Sequence, residues 1–258
     1  METNTTFSSS KNSNQIALVT GAAHRLGLVF AKSLANLGYG IVLHYNNSPE
    51  LIVRKAVEEL NHYGVQVFPV RANLRIENEI NSLFSFIDSI SDHQKNGKMQ
   101  LKVLVNSAGV MRDDKSENLS WDEYNKISEL NLRAPFFCSK LAYDRMDQGG
   151  IIINISDIAA QKHWTKYSAY SISKAGLDAQ TKILAKIFAP RVRVNGIAPG
   201  LFLSSDLITK DEWNRLLNKV PLKITGQSNH LTDTLEFLIK NEYITGQTIT
   251  VDGGYSLI

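Results

Sequence analysis

Short aliphatic and β-branched runs alternate along this chain with longer stretches in which apolar residues return every three or four positions. The runs predict strands at 16–20, 41–44, 65–68, 101–105, 151–155, 192–195 and 247–251. Helical periodicity is expected near 25–37, 50–63, 76–91, 120–147, 168–189 and 209–218. The early strands are largely apolar rather than alternating, which is the pattern of strands buried on both faces. Strand and helix alternating from end to end predict an α/β doubly wound fold, a parallel sheet with helices on both faces. No internal repeat or linker divides residues 14–258, so they read as one domain. The polar Ser/Thr/Asn-rich stretch 1–13 reads as a disordered tail with no apolar signal region. Ser89 to Gln100 is expected to be a surface loop, and Leu201 to Ser228 a lid over the substrate.

Composition narrows the function. A chain of 258 residues with 43% hydrophobic content can bury a full core. No apolar run reaches the roughly 20 residues of a membrane span. The net charge of +3 is mild and the basic residues are scattered without interleaved aromatics, so neither nucleic acid nor membrane is expected as a partner. The six histidines show no ligand spacing with one another or with the lone cysteine, Cys138, so no metal is expected. Cys138 lies in an apolar run and reads as a packing thiol. A single cysteine also suits a reducing, cytoplasmic setting.

The chemistry-bearing motifs each follow a predicted strand, where a doubly wound sheet opens its ligand crevice. After the first comes Thr20-Gly21-Ala-Ala-His-Arg25-Leu26-Gly27, a glycine turn running into a helix start that can face a pyrophosphate. After the second comes His44-Tyr45-Asn46-Asn47-Ser48, with no acid until Glu50. A carboxylate there would hold ribose hydroxyls and repel a 2′-phosphate, so its absence predicts NADPH rather than NADH. Asn73 and Leu74 follow the third strand, placed to flank adenine. Asn106-Ser107-Ala108-Gly109 follows the fourth, with small residues that admit the cofactor backbone. Pro199-Gly200 follows the sixth. Tyr170 and Lys174 share a helix face at four-residue spacing, and an ammonium beside a phenol is expected to lower the phenol pKa. Asp157 lies thirteen residues before the tyrosine.

Together these motifs, with Asn131 in Glu-Leu-Asn-Leu and the terminal Thr245-Gly-Gln…Val251-Asp-Gly-Gly254, resemble the short-chain dehydrogenase/reductase family across roughly 14–258. The resemblance implies a Rossmann-type fold with a seven-stranded parallel sheet and a homotetramer or homodimer built on the helices that hold Asn131 and Tyr170. It implies Tyr170 as the acid, Lys174 as the ribose and tyrosine partner, and Asn131 as anchor of a relay water. Ile155 and Ser204 are implied on the nicotinamide side.

Most of that family carries serine where this chain has Asp157. A carboxylate suits an alkoxide badly and a nitrogen heterocycle well, because it can protonate a ring nitrogen or accept from N–H groups. With Arg25 in the turn, His44-Tyr45 and Tyr167, this is similar to the pteridine reductase branch, which includes the bacterial dihydromonapterin and alternative dihydrofolate reductases. The expected substrate is therefore a dihydropterin or dihydrofolate-like ring held by Arg25, Met111, Asp157, Trp164, Tyr167 and Tyr170. The alternative is a small ketone or 3-oxoacyl thioester. Met111 stands where that branch has a stacking aromatic, and Trp164 is the candidate replacement wall.

Overall fold

The computed structural model describes residues 12, 14–92, 99–112, 118–203 and 209–258. The tail at 1–13 thus lies almost wholly outside the described residues, as does Ser204. Seven parallel strands form one sheet in the order β3-β2-β1-β4-β5-β6-β7. They are β1 (Gln15–Val19), β2 (Gly40–Tyr45), β3 (Val67–Arg71), β4 (Gln100–Asn106), β5 (Gly150–Ile155), β6 (Val192–Pro199) and β7 (Thr248–Val251). The fold is the single-domain Rossmann-type sheet that the pattern predicts.

Alternate strand residues feed two apolar layers. Ala17, Val19, Ile41, Leu43, Val103 and Val105 pack against α1 (Arg25–Asn36), through Phe30 and Leu34, and against α2 (Glu50–Asn61), through Val53 and Leu60. Ile16, Leu18, Val42, Leu104 and Ile152 face the other way, onto Leu83, Phe84 and Ile87 of α3 (Glu77–Asp92) and onto Leu184 and Phe188 further along the chain. Large aliphatic side chains fully withdrawn from water typically contribute about 1.5–3 kcal/mol each, so this two-sided burial fixes the register. Cys138 lies in the second layer, with burial pushing its thiol up to about 12. Among the described residues, no helix is long and apolar enough to cross a membrane, and no His/Cys/Asp/Glu group could hold a metal ion.

Several elements differ from expectation for physical reasons. The third strand begins two residues later than predicted and contains Pro69. It forms the sheet edge, pairing only with β2, where a residue without an N–H is tolerated. Part of the expected loop 89–100 continues α3 to Asp92, and 93–98 lie outside the described residues. The single helix expected over 120–147 is three pieces: α4 (Trp121–Ser128), a π-turn (Glu129–Arg133) and α5 (Ala134–Tyr143). Pro135 has no N–H to continue the regular ladder, and the Ala134 N–H reaches back to Glu129 O instead. Downstream lie α6 (Ala159–Lys162), α7 (Ser168–Phe188) and α8 (Lys210–Lys219), the first of them unforeseen. A further helix that the pattern did not predict, α9 (Ser228–Lys240), buries Leu231, Leu235 and Leu238. The expected lid holds α8, while 204–208 lie outside the described residues.

Candidate active site

At the carboxyl ends of β1 and β4, where strand order reverses, two loops are stapled together. Thr20 Oγ1 accepts from the N–H groups of both Ser107 and Ala108, each at 3.0 Å. Gly21 has φ +67°, and a Cβ there would lie 3.0 Å from Ala108 Cα. Gly27 is tighter, since a Cβ would meet Gly21 O at 2.1 Å. Between them Arg25 occupies the left-handed region at φ +53°, a conformation that favours glycine. Helix α1 starts from His24 with no side-chain cap and no acid in its first turn, which leaves its N-terminal N–H groups to an anion.

His44 supports this turn from below. It is buried, accepts from the Gly21 N–H at Nδ1 (3.1 Å) and bonds the Ala72 carbonyl through Nε2 (2.9 Å). Its two ring nitrogens are therefore engaged within the protein, and burial lowers its pKa to about 4. The residue expected to touch cofactor is instead a neutral bolt between β2 and the glycine turn. Tyr45, Asn46, Asn47 and Ser48 continue from the end of β2 with no acid among them; the first, Glu50, pairs with Arg54. These residues fit a dinucleotide carrying a 2′-phosphate. Asn73 is half-buried and accepts from Arg75 N at its side chain, while Leu74 is packed into the core.

One cavity of about 700 Å³ runs across the strand ends. Gly21, Arg25, Leu26, Ser107, Ala108, Ile155, Pro199 and Gly200 line this space. Asp157, Tyr170, Lys174, Met111, Trp164 and Tyr167 line it too, so most of the residues picked from sequence converge here. Asn106 does not. It is buried beneath, donating to Asn154 Oδ1 (2.9 Å) and Ser139 Oγ (3.1 Å), and ties β4 to β5. Asn131 is also fully buried. The π-turn directs its amide onto both backbone groups of Val110, at 2.9 Å each, and toward Ser173 Oγ. It shapes the segment after β4; a Cβ on Gly109 would lie 3.3 Å from its Oδ1.

The reactive cluster is compact. Tyr170 Oη donates to Asp157 Oδ2 at 2.8 Å, and Asp157 Oδ1 accepts from the Ala159 N–H at 2.8 Å. Lys174 Nζ donates to the Ile155 carbonyl at 2.7 Å and lies 5.6 Å from the Tyr170 ring centroid. Burial raises the Asp157 pKa above the ordinary carboxylate value, opposed by the Ala159 and Tyr170 hydrogen bonds and by Lys174. Burial, then the Asp157 charge and hydrogen bond, raise Tyr170 well above an ordinary phenol. This corrects the expectation of a lowered phenol pKa from spacing alone: burial first, and the carboxylate second, push it up. Lys174 is lowered to about 8 by burial, against the pull of Asp157 and Asp178.

Sequence reasoning missed part of the wall. Phe202, Trp213 and Leu216 reach the cavity from the lid, and Tyr255 from the turn after β7. Trp164 stacks edge-on to Tyr167 with centroids 6.2 Å apart and also joins a small apolar cluster with Ile158, Val220 and Tyr255. The visible signals were the amphipathic spacing of Trp213 and Leu216 and the only tyrosine following the Gly253-Gly254 pair.

Comparison with known proteins agrees with this architecture. Residues 21–256 match the family model described as enoyl-(acyl carrier protein) reductase. A 3-oxoacyl-[acyl-carrier-protein] reductase of Staphylococcus aureus is 33% identical over 245 residues, 92% of this chain and 96% of that protein. Among solved structures, alternative dihydrofolate reductase 1 (FolM) from Brucella canis, complexed with NADP, superposes with a TM-score of 0.85 at 28% identity over 96% of each chain. The angucycline C-6 ketoreductase LanV with bound NADP gives 0.89 at 26% identity, covering 96% of this chain and 97% of its own. The chain belongs to the short-chain dehydrogenase/reductase family.

Proposed function

We propose that this short-chain reductase uses NADPH to reduce a C=N bond in a dihydropterin or dihydrofolate-like ring. The coarser activity, an NADP-dependent oxidoreductase, follows from family membership, from the NADP-bound structural neighbours and from a β2 end without an acid. The single observation carrying the finer reading is the Asp157–Tyr170 hydrogen bond at 2.8 Å in the cavity wall. A ketone reductase gains from a neutral hydroxyl beside the developing alkoxide, whereas a carboxylate there repels it. A carboxyl group with a raised pKa instead suits delivery of a proton to ring nitrogen or acceptance from ring N–H groups.

NADPH supplies the hydride when bound. The protein supplies the proton and the geometry. Tyr170 shares its proton with the Asp157 carboxylate at the cavity wall, so the pair carries one negative charge beforehand and a second once that proton has passed to the ring nitrogen. Lys174, fixed to the Ile155 carbonyl, stabilises that charge until solvent restores the proton. Gly109 keeps space open above Lys174, where a Cβ would stand 3.8 Å from Nζ. Groups so positioned typically contribute about 10²–10⁴-fold.

Reduction of a 3-oxoacyl thioester or small ketone is the second reading, favoured by the similarity to the Staphylococcus enzyme. Following NADPH absorbance with dihydrobiopterin, dihydrofolate and an acetoacetyl thioester separates the two. The proposal expects turnover with the ring substrates, lost in Asp157→Ser. Turnover of the thioester alone, or ring reduction unchanged in that variant, would sink it.

A further inference from the structure

We propose that Lys162 is a positioning residue that straps the segment after β7 across the substrate end of the cavity and so makes Tyr255 a specificity-determining wall. This rests on the cavity being the reductase's substrate site, whichever substrate it takes. Lys162 ends α6. Its Nζ donates to the Tyr255 carbonyl at 3.1 Å and to Ile258 O, and lies 4.8 Å from the centroid of the Tyr255 ring. One ammonium thus holds the backbone and the ring face of the same residue, using two of its three donors.

The opposite side of the segment is held by other means. Asp252 accepts from the N–H groups of Gly254 (2.8 Å) and Ser256 (2.6 Å), folding the chain into a turn. Leu222 N donates to Gly253 O at 3.1 Å. Val220 and Pro221 pack so closely on Gly253 and Gly254 that Cβ atoms there would meet them at 2.7 and 3.0 Å. Tyr255 is consequently buried against Ile158 and Val220 while still lining the cavity. Lys162 supplies the tie on the remaining side.

The same short helix links wall and acid. Asp157 Oδ1 accepts from Ala159 N at its start, and Lys162 stands at its end. Distance between the reacting carboxylate and the aromatic wall is therefore set by one turn of helix plus one strap. A wall fixed this way favours compact flat substrates over those bearing an arm. Loosening it admits the arm without touching the reacting groups.

The test compares Lys162→Met, which keeps the stem and loses the donors, with Lys162→Arg and Tyr255→Ala. The readout is kcat/KM for dihydrofolate relative to dihydrobiopterin, with a long-chain against an acetoacetyl thioester as the parallel pair. In Lys162→Met the armed-to-compact ratio should rise on the order of tenfold, about the worth of one charge-assisted hydrogen bond. The compact substrate should keep its kcat while its KM rises. Lys162→Arg should restore the ratio, and Tyr255→Ala should raise it with no further gain on adding Lys162→Met. Hydrogen exchange at the Gly254 and Ser256 amides should accelerate in Lys162→Met and recover in Lys162→Arg. A ratio and an exchange rate both unchanged in Lys162→Met overturn the strap. If the wild-type protein turns over none of these substrates, the functional reading fails, and the exchange experiment alone decides the strap.

Discussion

Lowering the pH should loosen the cofactor turn through one buried imidazole. His44 accepts from Gly21 N–H at one ring nitrogen and bonds Ala72 O at the other, so protonation sets two donors against each other at 3.1 Å. Its pKa is lowered from 6.5 to about 4 in the folded protein. Between those values the unfolded chain binds a proton that the folded chain refuses, so folding stability falls as pH drops through this window. From pH 7 to pH 5 the linkage comes to about 2 kcal/mol for this one group. For a protein of this size that is roughly 4–8 °C in Tm. The control is His44→Gln, whose amide can accept from Gly21 and donate to Ala72 without titrating. Thermal or urea unfolding of both proteins at pH 7, 6 and 5 isolates the histidine, since every other titrating group is shared. The wild-type protein should lose about 2 kcal/mol more than the variant over that range. Parallel stability–pH curves would refute the role. NADPH affinity, read by fluorescence titration, should weaken toward pH 5 in the wild type and stay flatter in the variant.

Tyr170→Phe should cut kcat by about 10²–10⁴ while leaving NADPH affinity nearly unchanged, because only the hydroxyl is lost; full activity in the variant refutes its acid role. Activity should fall as pH rises through about 8, where Lys174 loses its proton. Asp178, one helical turn away, favours the charged lysine, so Asp178→Asn should move that alkaline limb to lower pH; an unmoved limb removes the lysine from the profile. Arg25→Gly relieves a left-handed conformation that costs roughly 1–2 kcal/mol, partly offset by backbone entropy, so unfolding should show unchanged or slightly higher stability alongside a raised KM. Helices α5 and α7 expose Phe136, Phe137, Ile172, Ile183 and Ile187, an apolar face expected to seat a second copy of the chain. Ile183→Asp with Ile187→Asp should lower the mass seen by light scattering, and an unchanged mass argues for another interface.

What could be read from sequence and what could not divide along a physical line. Strands buried on both faces are largely apolar, so β1, β4 and β5 stand out in the chain. Gly27 is legible because a Cβ there would meet Gly21 O at 2.1 Å, and Gly21 because its φ of +67° and a Cβ only 3.0 Å from Ala108 Cα favour glycine. Properties that depend on neighbours distant in sequence behave differently. Asn46 and His44 sit two residues apart on one strand end, yet His44 turns inward onto Gly21 and Ala72, which spacing does not reveal. The π-turn at Asn131 arises where Pro135 interrupts the helical ladder, and the shifted ladder places an asparagine on Val110 in the segment that follows β4. Helix α9 was signalled only by Leu231, Leu235 and Leu238, beneath a first turn of Ser, Asn and His that favours caps over helix. The tyrosine shows the same limit in its chemistry. Four-residue spacing correctly places Lys174 on its face, but a pairwise argument omits the carboxylate arriving from the end of β5. Burial of the phenol raises its pKa first, and Asp157, half-buried and 2.8 Å away, raises it further, while the Lys174 ammonium directs its donor bond to Ile155. The tyrosine's shift, set first by its burial and then by this third partner, is thus not legible in the helix spacing that made the pair visible.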